Sequence, residues 1–262
     1  MSGLINFTKM HGLGNDFVVI DAISQDILLS PSDIIKISDR HRGIGCDQVL
    51  LIQKSDIPDI DFLYKIYNSD GSEVGQCGNG ARCLAKFIRD KNLSSKNILR
   101  VKTFTRKLEL YIENENIRVN MGIPVEMQYF ASLDLKTQNI ASLHSKPISL
   151  FLGNPHIVFL TQDIKDHSLN NMGLDDFNIG YMQIIDKNHI KLRVFERGAG
   201  ETEACGSGAC AAVVAGITQN LLDHSVTVEL TGGKLYIQWQ GQNHPVWMSG
   251  PAETVFEGCI RI

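Results

Sequence analysis

One short motif occurs twice in this chain. After Glu73, and again after Glu201, three residues separate the glutamate from the sequence Cys-Gly-x-Gly-Ala, which begins at Cys77 and at Cys205. Apolar residues then recur at the i, i+3, i+4 and i+7 spacing of a helix. Both cysteines are therefore predicted at helix N-termini, where backbone N–H groups and the helix dipole bind anions and favour the thiolate. The glycines of both motifs should let a ligand approach the backbone closely.

Further segments of the first half resemble segments of the second half, in the same order. The pairs are residues 13–19 with 152–158, residues 44–50 with 179–185, and residues 65–68 with 193–196. The two segments of the last pair are separated by the same number of residues as Cys77 and Cys205. Matched segments in a common order indicate a tandem duplication with about 120 residues in each half. The sequence therefore predicts two domains, residues 1–121 and residues 122–250, with a site between the two cysteine motifs.

The composition argues against several classes of function. The chain has 262 residues, and its net charge of −4 comes from 25 basic and 29 acidic side chains without a basic block. This balance argues against binding to nucleic acid or to an anionic membrane. No apolar run approaches the roughly 18 residues of a membrane helix, and the N-terminus lacks a secretory apolar segment. The six cysteines lack the Cys-x-x-Cys spacing of zinc sites, so we expect a cytoplasmic enzyme with reduced thiols.

Periodicity and turn residues predict strands and helices in both halves. In the first half, strands are predicted at residues 7–10, 17–21, 48–53, 62–68, 99–105, 107–113 and 117–121. In the second half, they are predicted at residues 148–152, 156–160, 181–186, 190–196, 226–230, 234–240, 246–249 and 255–262. A first helix should follow Ser30 and end near Arg40, and two further helices should follow Cys77 and Cys205. The helix after Cys205 should be buried on every side. Residues 11–16 are predicted as a loop, and residues 126–146 as a peripheral hairpin or loop.

Two thiols at helix N-termini suit the inversion of a carbon atom that carries an acidic proton. If a carboxylate bound across both N-termini, one thiolate could remove the α-proton from one face while the other thiol returned a proton to the opposite face. The N–H groups of both loops would stabilise the charge that builds on the carboxylate. Such a site needs neither a metal nor a pyridoxal cofactor. Beside the second motif, Glu196 suits an ammonium group and Arg197 a carboxylate, which indicates an amino-acid substrate.

Taken together, the motifs resemble those of diaminopimelate epimerase. The resemblance is carried by residues 10–17, 70–73, 76–83, 153–156, 196–202 and 204–208, and extends in order from Phe7 to the last strand. It implies an α/β (α+β) fold with two pseudo-symmetric domains, each a curled mixed β-sheet around a central helix, in which residues 251–262 return to the first domain. It also implies epimerisation of LL-diaminopimelate to the meso form, without cofactor or metal, in lysine and peptidoglycan-precursor synthesis. The family leads us to expect a homodimer.

The resemblance also implies roles for individual residues. Cys77 and Cys205 would form the acid/base pair. The implied substrate contacts are Asn15, Gln48, Asn68, Asn154, Asn178, Glu196 and Arg197, with Gly78, Asn79, Gly206 and Ser207 as N–H donors and His156 and Glu196 as supporting groups. The asparagines and Arg197 are expected in loops, where they would bind a second polar end of the substrate. Cys46 departs from the pattern, because a bulky apolar residue is expected two positions before Gln48.

Other interpretations of the cysteines stay open. A buried cysteine is commonly a small hydrophobic residue. This interpretation is favoured for the cysteines outside the two motif positions, which are Cys46, Cys83, Cys210 and Cys259.

Four further interpretations compete with epimerisation of diaminopimelate. A hydrolase with a cysteine nucleophile and His156 as base would use one motif and leave the other unexplained. Redox exchange between Cys77 and Cys205 would require the two thiols to face each other. A third alternative is a related proline racemase, but these enzymes carry Cys-Gly-His-Gly where this chain has Asn79. A fourth is a binding protein without activity, which would not need both thiols.

Overall fold

The computed structural model describes residues 3–127, 147–165 and 174–262. The chain divides into two units: the first runs to Val119 and resumes at Gly250–Ile262, and the second consists of Asn120–Ser249. Each unit contains a mixed β-sheet and one long helix. None of the helices in the described ranges is long and apolar enough to cross a membrane.

The secondary structure of the two units follows the chain order. The first unit holds helices α1 (Pro31–Ser38) and α2 (Gly78–Asp90) and strands β1 (Leu4–Gly12), β2 (Asn15–Asp21), β3 (Gln48–Lys54), β4 (Phe62–Asn68), β5 (Glu73–Val74), β6 (Ile98–Lys102), β7 (Lys107–Glu113) and the start of β8 (Asn116–Gly122), whose last three residues belong to the second unit. The second unit holds helix α3 (Gly206–Thr218) and strands β9 (Val125–Met127), β10 (Ile148–Phe151), β11 (Pro155–Thr161), β12 (Asn178–Asp186), β13 (His189–Glu196), β14 (Gly200–Thr202), β15 (Ser225–Leu230), β16 (Gly233–Gln238) and β17 (Val246–Gly250). The last strand, β18 (Glu253–Arg261), pairs with β1 in the first unit.

Both units pair their strands in the same order. In the first unit the order is β18-β1-β2-β3-β4-β6-β7-β8, with β2–β3 and β4–β6 parallel, the other pairs antiparallel, and β5 beside β4. In the second unit the order is β9-β10-β11-β12-β13-β15-β16-β17, with β11–β12 and β13–β15 parallel and β14 beside β13. This repetition confirms the duplication inferred from the motifs. The mixed sheets with few helices confirm the predicted fold class.

The long helix of each unit buries the side chains that the apolar spacing predicts. In α2, Ala81, Leu84 and Ile88 are fully buried, and the helix packs against β1, β2, β3 and β7. In α3, every residue from Gly206 to Gly216 is buried, as its small and apolar sequence predicts, and the helix packs against β10 to β13, β15 and β16. Each long helix is therefore the core of its unit, and its first turn is held in place by the strands around it.

Helix α1 begins where the sequence predicts. Ser30 is its N-cap: the hydroxyl accepts a hydrogen bond from the Asp33 N–H at 3.3 Å, and the Asp33 carboxylate accepts one from the Ser30 N–H at 2.8 Å. This reciprocal capping box satisfies two backbone donors. The helix ends at Ser38, slightly before the predicted end at Arg40.

Residues 11–16 do not form the predicted loop. Strand β1 continues to Gly12, β2 begins at Asn15, and these two residues pair across a two-residue turn. Leu13 and Gly14 both have positive φ, 59° and 89°, as a type I′ turn requires at its two central positions. Because the twist of this turn matches that of a hairpin, the strands run up to it and the polar side chain of Asn15 lies at a strand end.

Three short strands escape the sequence analysis. Strands β5 and β14, which precede the two cysteine motifs, have two and three residues, too few to show an alternating pattern. Strand β9 takes up Val125–Met127, where a hairpin or loop is predicted from Glu126 onward, and residues 128–146 of that segment lie outside the described residues. Strand β12 begins at Asn178 rather than at Tyr181.

Leu84→Ala should lower the free energy of unfolding by about 2–5 kcal/mol, because it leaves a cavity at a fully buried position of α2. Leu28→Ala is the matched control, since the Leu28 side chain is 97 % exposed and the same substitution removes no packing. Urea unfolding followed by circular dichroism measures both changes. Equal effects of the two substitutions would mean that α2 is not the core of its unit.

Candidate active site

The first cysteine lies where the motif predicts, at the N-cap of α2. Cys77 has an extended backbone, with φ −150° and ψ 113°, and its sulfur accepts a hydrogen bond from the Gly80 N–H at 3.3 Å. The sulfur thus replaces the side-chain oxygen that caps most helices. The N–H groups of a first turn are not used by the helix itself. The half-buried thiol of Cys77 therefore lies beside a set of backbone donors.

The second cysteine has the same geometry and a different environment. Cys205 is the N-cap of α3, with φ −118° and ψ 111°, and its sulfur accepts from the Gly208 N–H at 3.4 Å. The Ser207 hydroxyl lies 3.5 Å from the same sulfur. Burial raises the pKa of Cys205 well above its usual range, and the negative charge of Glu196 adds a smaller rise. At neutral pH this buried group is a thiol.

The second glycine of each motif serves packing rather than access for a ligand. A Cβ on Gly80 would lie 3.1 Å from the hydroxyl of Tyr64 and 3.3 Å from the ring of Phe17. A Cβ on Gly208 would lie 3.2 Å from a methyl group of Val194. The expectation that these glycines make room for a ligand is therefore wrong for Gly80 and Gly208, because the interior of each unit fills the space beside them.

A turn between β6 and β7 holds the residues that precede the first cysteine. The carbonyl oxygen of Gly75 accepts hydrogen bonds from the hydroxyls of Thr103 at 2.8 Å and Thr105 at 2.9 Å. Arg106 donates to the side-chain oxygen of Gln76. A Cβ on Gly75 would lie 2.3 Å from Thr105 Oγ1, so this close approach requires glycine. The motif alone does not indicate these contacts, because the turn lies after the helix that the motif begins.

Two asparagines and an arginine form a hydrogen-bonded chain beside the first cysteine. The Cys77 thiol lies 3.7 Å from Asn15 Oδ1. Asn79 Nδ2 donates to that oxygen at 3.2 Å, and Arg82 donates to Asn79 Oδ1 at 3.0 Å. Arg82 is fully buried and also donates to the carbonyl of Pro251 at 2.9 Å. The structure therefore brings Asn15 against Cys77 and turns the Asn79 side chain towards Asn15.

A network of charged side chains behind Asn15 was missed by the sequence analysis. Asn15 Nδ2 donates to Asp47 Oδ2 at 2.9 Å. Arg40 donates to Asp47 at 2.8 Å and to the two carboxylate oxygens of Asp16 at 2.9 and 3.0 Å. Lys9 donates to Asp16 at 2.6 Å. Burial of Asp16 opposes its ionisation, but the hydrogen bonds from Arg40 and Lys9 outweigh burial and lower its pKa to about 2.

Gln48 and Asn68, both expected to contact substrate, lie side by side on β3 and β4. Gln48 Nε2 donates to Asn68 Oδ1 at 2.9 Å, and Asn68 Nδ2 donates to Ser72 Oγ at 3.3 Å. The Ser72 hydroxyl donates to Asp70 at 2.6 Å, and a carboxylate can only accept, so the direction of these bonds is fixed. Gln48 Oε1 is buried and has no hydrogen-bond partner among the residues that the structure describes. A buried acceptor of this kind suits a donor group of a ligand.

In the second unit, His156 supports Asn154. The Nε2–H of His156 donates to Asn154 Oδ1 at 2.9 Å. Complete burial lowers the pKa of His156 to about 3, so the ring is neutral at working pH. A general base is most effective when its pKa is close to that pH. The structure therefore disfavours a hydrolase in which His156 activates a cysteine.

Three further predicted residues lie close together at the end of β13. Asn178 Oδ1 accepts from the Arg197 N–H at 2.9 Å, and Asn178 Nδ2 donates to the carbonyl of Pro155 at 3.2 Å. Glu196 accepts from the Thr202 hydroxyl at 2.7 Å. Within the described part of the chain, the exposed guanidinium of Arg197 makes no hydrogen bond or ion pair. Asn178 thus joins β11 to the end of β13, and Arg197 is available to an anionic group.

The asparagines predicted in loops lie at the ends of strands. Asn15 begins β2, Asn68 ends β4 and Asn178 begins β12, so the loop prediction is wrong for these three. For Asn68, the strand predicted at residues 62–68 is confirmed instead. Asn154 directly precedes β11, and Arg197 directly follows β13. Side chains at strand ends are held more rigidly than side chains on loops, which favours a preorganised binding site.

The cysteines outside the motif positions have two different environments. As predicted, Cys46, Cys83 and Cys210 are buried. The same interpretation is wrong for Cys259, which is exposed because β18 exposes most of its residues. Burial raises the pKa of the Cys46 thiol. Cys46 thus takes the place of the apolar residue that the family pattern leads us to expect.

The two cysteine loops present the chemistry of an anion site. Each helix N-terminus offers backbone N–H groups and the positive end of a dipole. Across residues 3–127, 147–165 and 174–262, no three His, Cys, Asp or Glu side chains form a group that could hold a metal ion. A carboxylate suits the donors of both loops.

One family model matches most of the chain. The model described as diaminopimelate epimerase matches residues 7–127 and residues 149–255. These two ranges contain both cysteine motifs and every residue predicted to contact substrate.

Solved structures share the fold at low sequence identity. A phenazine biosynthesis protein of the PhzF family from Bacillus anthracis gives a TM-score of 0.80 at 18 % identity, over 99 % of this chain and 100 % of that chain. A predicted epimerase from Pseudomonas aeruginosa gives 0.74 at 12 %, over 98 % and 99 %. A hydroxyproline epimerase from Agrobacterium vitis, solved with trans-4-hydroxy-L-proline, gives 0.68 at 9 %, over 100 % and 94 %. These similarities establish the fold of the chain.

The free energy of unfolding should fall as the pH is lowered, because His156 is held neutral. Its pKa of about 3 in the folded protein lies below the ordinary value of 6.5. The stabilisation is therefore complete above pH 6.5 and is lost as the pH falls towards 3. Between about pH 7 and about pH 5 the loss should amount to about 2 kcal/mol. Urea unfolding at these two pH values measures it.

Two glutamine variants separate this effect from other titrations. His156→Gln has no imidazole to protonate and should lose less stability than the wild type over the same pH range. His41→Gln removes an exposed imidazole and should keep the wild-type pH dependence. A His156→Gln variant with the wild-type pH dependence would contradict the assignment of a buried neutral imidazole.

Proposed function

Because the chain belongs to the diaminopimelate epimerase family, we propose that it converts LL-diaminopimelate to the meso form without a cofactor. Family membership makes the chain an epimerase-type isomerase, and the proposal adds the substrate. One cysteine gives up its thiol proton to solvent as the substrate binds, and the resulting thiolate removes the α-proton. The thiol of the other cysteine returns a proton to the opposite face. The mechanism requires the sulfurs of Cys77 and Cys205 to reach opposite faces of one α-carbon.

The observation that carries the proposal is the same capped geometry at two cysteines. Each sulfur accepts a backbone N–H at 3.3 or 3.4 Å and begins a helix of 13 residues. Inversion through a carbanion needs one proton-transfer group for each face of the carbon, and two thiols with the same backbone geometry meet that need. The first-turn N–H groups would stabilise the charge that develops on the α-carboxylate.

The surrounding side chains support a substrate with two polar ends. The buried oxygen of Gln48 suits an ammonium group, and the exposed guanidinium of Arg197 suits a carboxylate. Since His156 takes up the oxygen of Asn154, the Asn154 amide nitrogen is left to donate to a substrate oxygen. Diaminopimelate, with an amino-acid head at both ends, uses all three groups.

Further parts of the proposal rest on the family resemblance. We propose that residues 1–121 with 251–262, and residues 122–250, are the two epimerase domains and that each supplies one catalytic cysteine. The enzyme would act in the cytoplasm, in lysine and peptidoglycan-precursor synthesis. The proposed assembly is a homodimer, which light scattering of the purified protein tests by its mass.

Cys77→Ser and Cys205→Ser should each lower kcat by about 10²–10⁴-fold, because a hydroxyl does not replace the thiol in proton transfer. Incubation with LL-diaminopimelate in D₂O, followed by mass spectrometry of deuterium at the α-carbon, measures the loss. Near wild-type turnover in either variant would rule out the two-base mechanism.

Serine is the matched choice because it keeps an N-cap oxygen for the helix. The serine variants should therefore unfold at close to the wild-type urea concentration, so that lost activity cannot come from a lost fold. Cys77→Ala and Cys205→Ala remove both the cap and the thiol, and should add about 0.5–2 kcal/mol of destabilisation to the same loss of activity.

Lysine and proline should be very poor substrates. Lysine keeps the distal amine but lacks the distal carboxylate, so polar groups of the site lose a partner at a cost of about 1–3 kcal/mol each. The kcat/KM for diaminopimelate should therefore exceed the values for lysine and proline by several powers of ten. Arg197→Met should weaken diaminopimelate turnover without creating good turnover of either. Comparable values for all three substrates would contradict the substrate assignment and leave the two-cysteine chemistry standing.

A further inference from the structure

A chain of hydrogen bonds fixes the orientation of the Asn15 amide beside Cys77. Arg82 donates to Asn79 Oδ1 at 3.0 Å, and Asn79 Nδ2 donates to Asn15 Oδ1 at 3.2 Å. Asn15 Nδ2 donates in turn to Asp47 Oδ2 at 2.9 Å. We name these four side chains the amide relay.

Both ends of the amide relay allow only one direction of hydrogen bonding. A guanidinium donates and does not accept, so Arg82 must meet the oxygen of Asn79. An ionised carboxylate accepts and does not donate, so Asp47 must meet the amide nitrogen of Asn15. The amide oxygen of Asn15 therefore points to Cys77, whose sulfur lies 3.7 Å away.

We propose that Asp47 is a positioning residue that acts through Asn15 and holds Cys77 as a thiol in the absence of substrate. A carbonyl oxygen beside the sulfur accepts the S–H proton and repels the negative charge of a thiolate. The Gly80 N–H, 3.3 Å from the same sulfur, has the opposite effect, so the amide relay offsets the pull of the helix N-terminus. The role of Asp47 in the reaction rests on the proposed function, which makes Cys77 a proton-transfer group.

Two further titratable groups near Cys77, those of Tyr64 and Cys83, are neutral. The Tyr64 hydroxyl donates to the Cys77 carbonyl at 3.5 Å, and Cys83 lies on the same helix. Burial raises the pKa of both Tyr64 and Cys83, so neither carries a charge at neutral pH. The charged groups behind the amide relay are joined to Asn15 through the carboxylate of Asp47, and they are Lys9, Asp16 and Arg40.

Asp47→Ala should release the amide of Asn15, because it removes the acceptor that holds the Asn15 nitrogen. Asn15 Oδ1 can then turn away from Cys77, and the loss of an acceptor beside the sulfur favours the thiolate, which is the reactive form. Asp47→Asn should keep the amide relay. Its new oxygen can take the place of Asp47 Oδ2, which accepts from Asn15 Nδ2 at 2.9 Å and from the Asp16 N–H at 3.1 Å, while its new NH₂ group faces Arg40.

Alkylation of Cys77 by iodoacetamide tests the proposal. The reduced enzyme is treated without substrate over a pH series, and the adduct on the Cys77 peptide is quantified by mass spectrometry. Asp47→Ala should react about three- to tenfold faster than the wild type at neutral pH, the effect of one hydrogen bond. Its pH profile should move to lower pH with an unchanged plateau at high pH. A substitution that merely loosened the loop would raise the plateau as well.

Three variants serve as controls. Asp47→Asn keeps an acceptor for Asn15. Asp186→Ala is matched in the second unit, because the exposed Asp186 carboxylate also accepts a backbone N–H, at 2.7 Å. Arg40→Met removes the ion pair and leaves Asp47 to accept from Asn15. All three variants should react within about twofold of the wild type. A wild-type profile for Asp47→Ala, a raised plateau, or an equal shift in any control overturns the proposal.

The Asp47 side chain is 45 % exposed, so Asp47→Ala should fold, which circular dichroism checks. Alkylation needs no substrate, and its outcome is independent of the deuterium assay. If the wild type exchanges no deuterium into diaminopimelate while Asp47→Ala shows the expected profile, the proposed function is wrong and the role of Asp47 stands. If the wild type turns over diaminopimelate while Asp47→Ala keeps the wild-type profile, only the role of Asp47 is wrong.

Discussion

A cysteine sulfur caps the central helix of each unit, and the polar groups of the candidate site are arranged around that hydrogen bond. Most helices use a serine, threonine, aspartate or asparagine oxygen in this position. Strands enclose α2 and α3 and hold the first turn of each helix in a fixed place. A sulfur that is hydrogen-bonded to such a turn is therefore held in a fixed place as well. The backbone of a buried helix therefore places the reactive atom, and this is a more rigid support than a loop can give.

The two units repeat a backbone and vary its electrostatics. Strand order, parallel pairs and helix caps are the same in both, whereas the half-buried Cys77 lies beside an amide and the buried Cys205 lies beside Ser207 and the charge of Glu196. Duplication alone would give two equivalent thiols. The differences lie in the side chains around the caps, which can change without disturbing the sheets, so one architecture supplies two thiols with different polar neighbours.

Features encoded within a few residues were predictable, and features that depend on strand register were not. The motifs predicted the caps of α2 and α3 because the glycines and the apolar spacing are local signals. The turn at Leu13 gave no such signal, since leucine rarely adopts positive φ. The resemblance named the polar residues of the site but not their partners. Parallel pairing sets Phe17 opposite Gln48, and this register brings Asp16 and Asp47 together from distant parts of the sequence.

The direction of the amide relay limits how this sequence can evolve. Asn15 and Asn79 each accept from one neighbour and donate to the other, so an aspartate at either position would lack the donor and a leucine would lack both groups. Each end of the amide relay needs only one of these functions, because Arg82 must donate and Asp47 must accept. If the charge at one end of the amide relay changed sign, the hydrogen bonds could form again only if the other end changed sign too and both amides exchanged the positions of their oxygen and nitrogen. The four positions should therefore be inherited together, as a coupled set rather than as four independent sites.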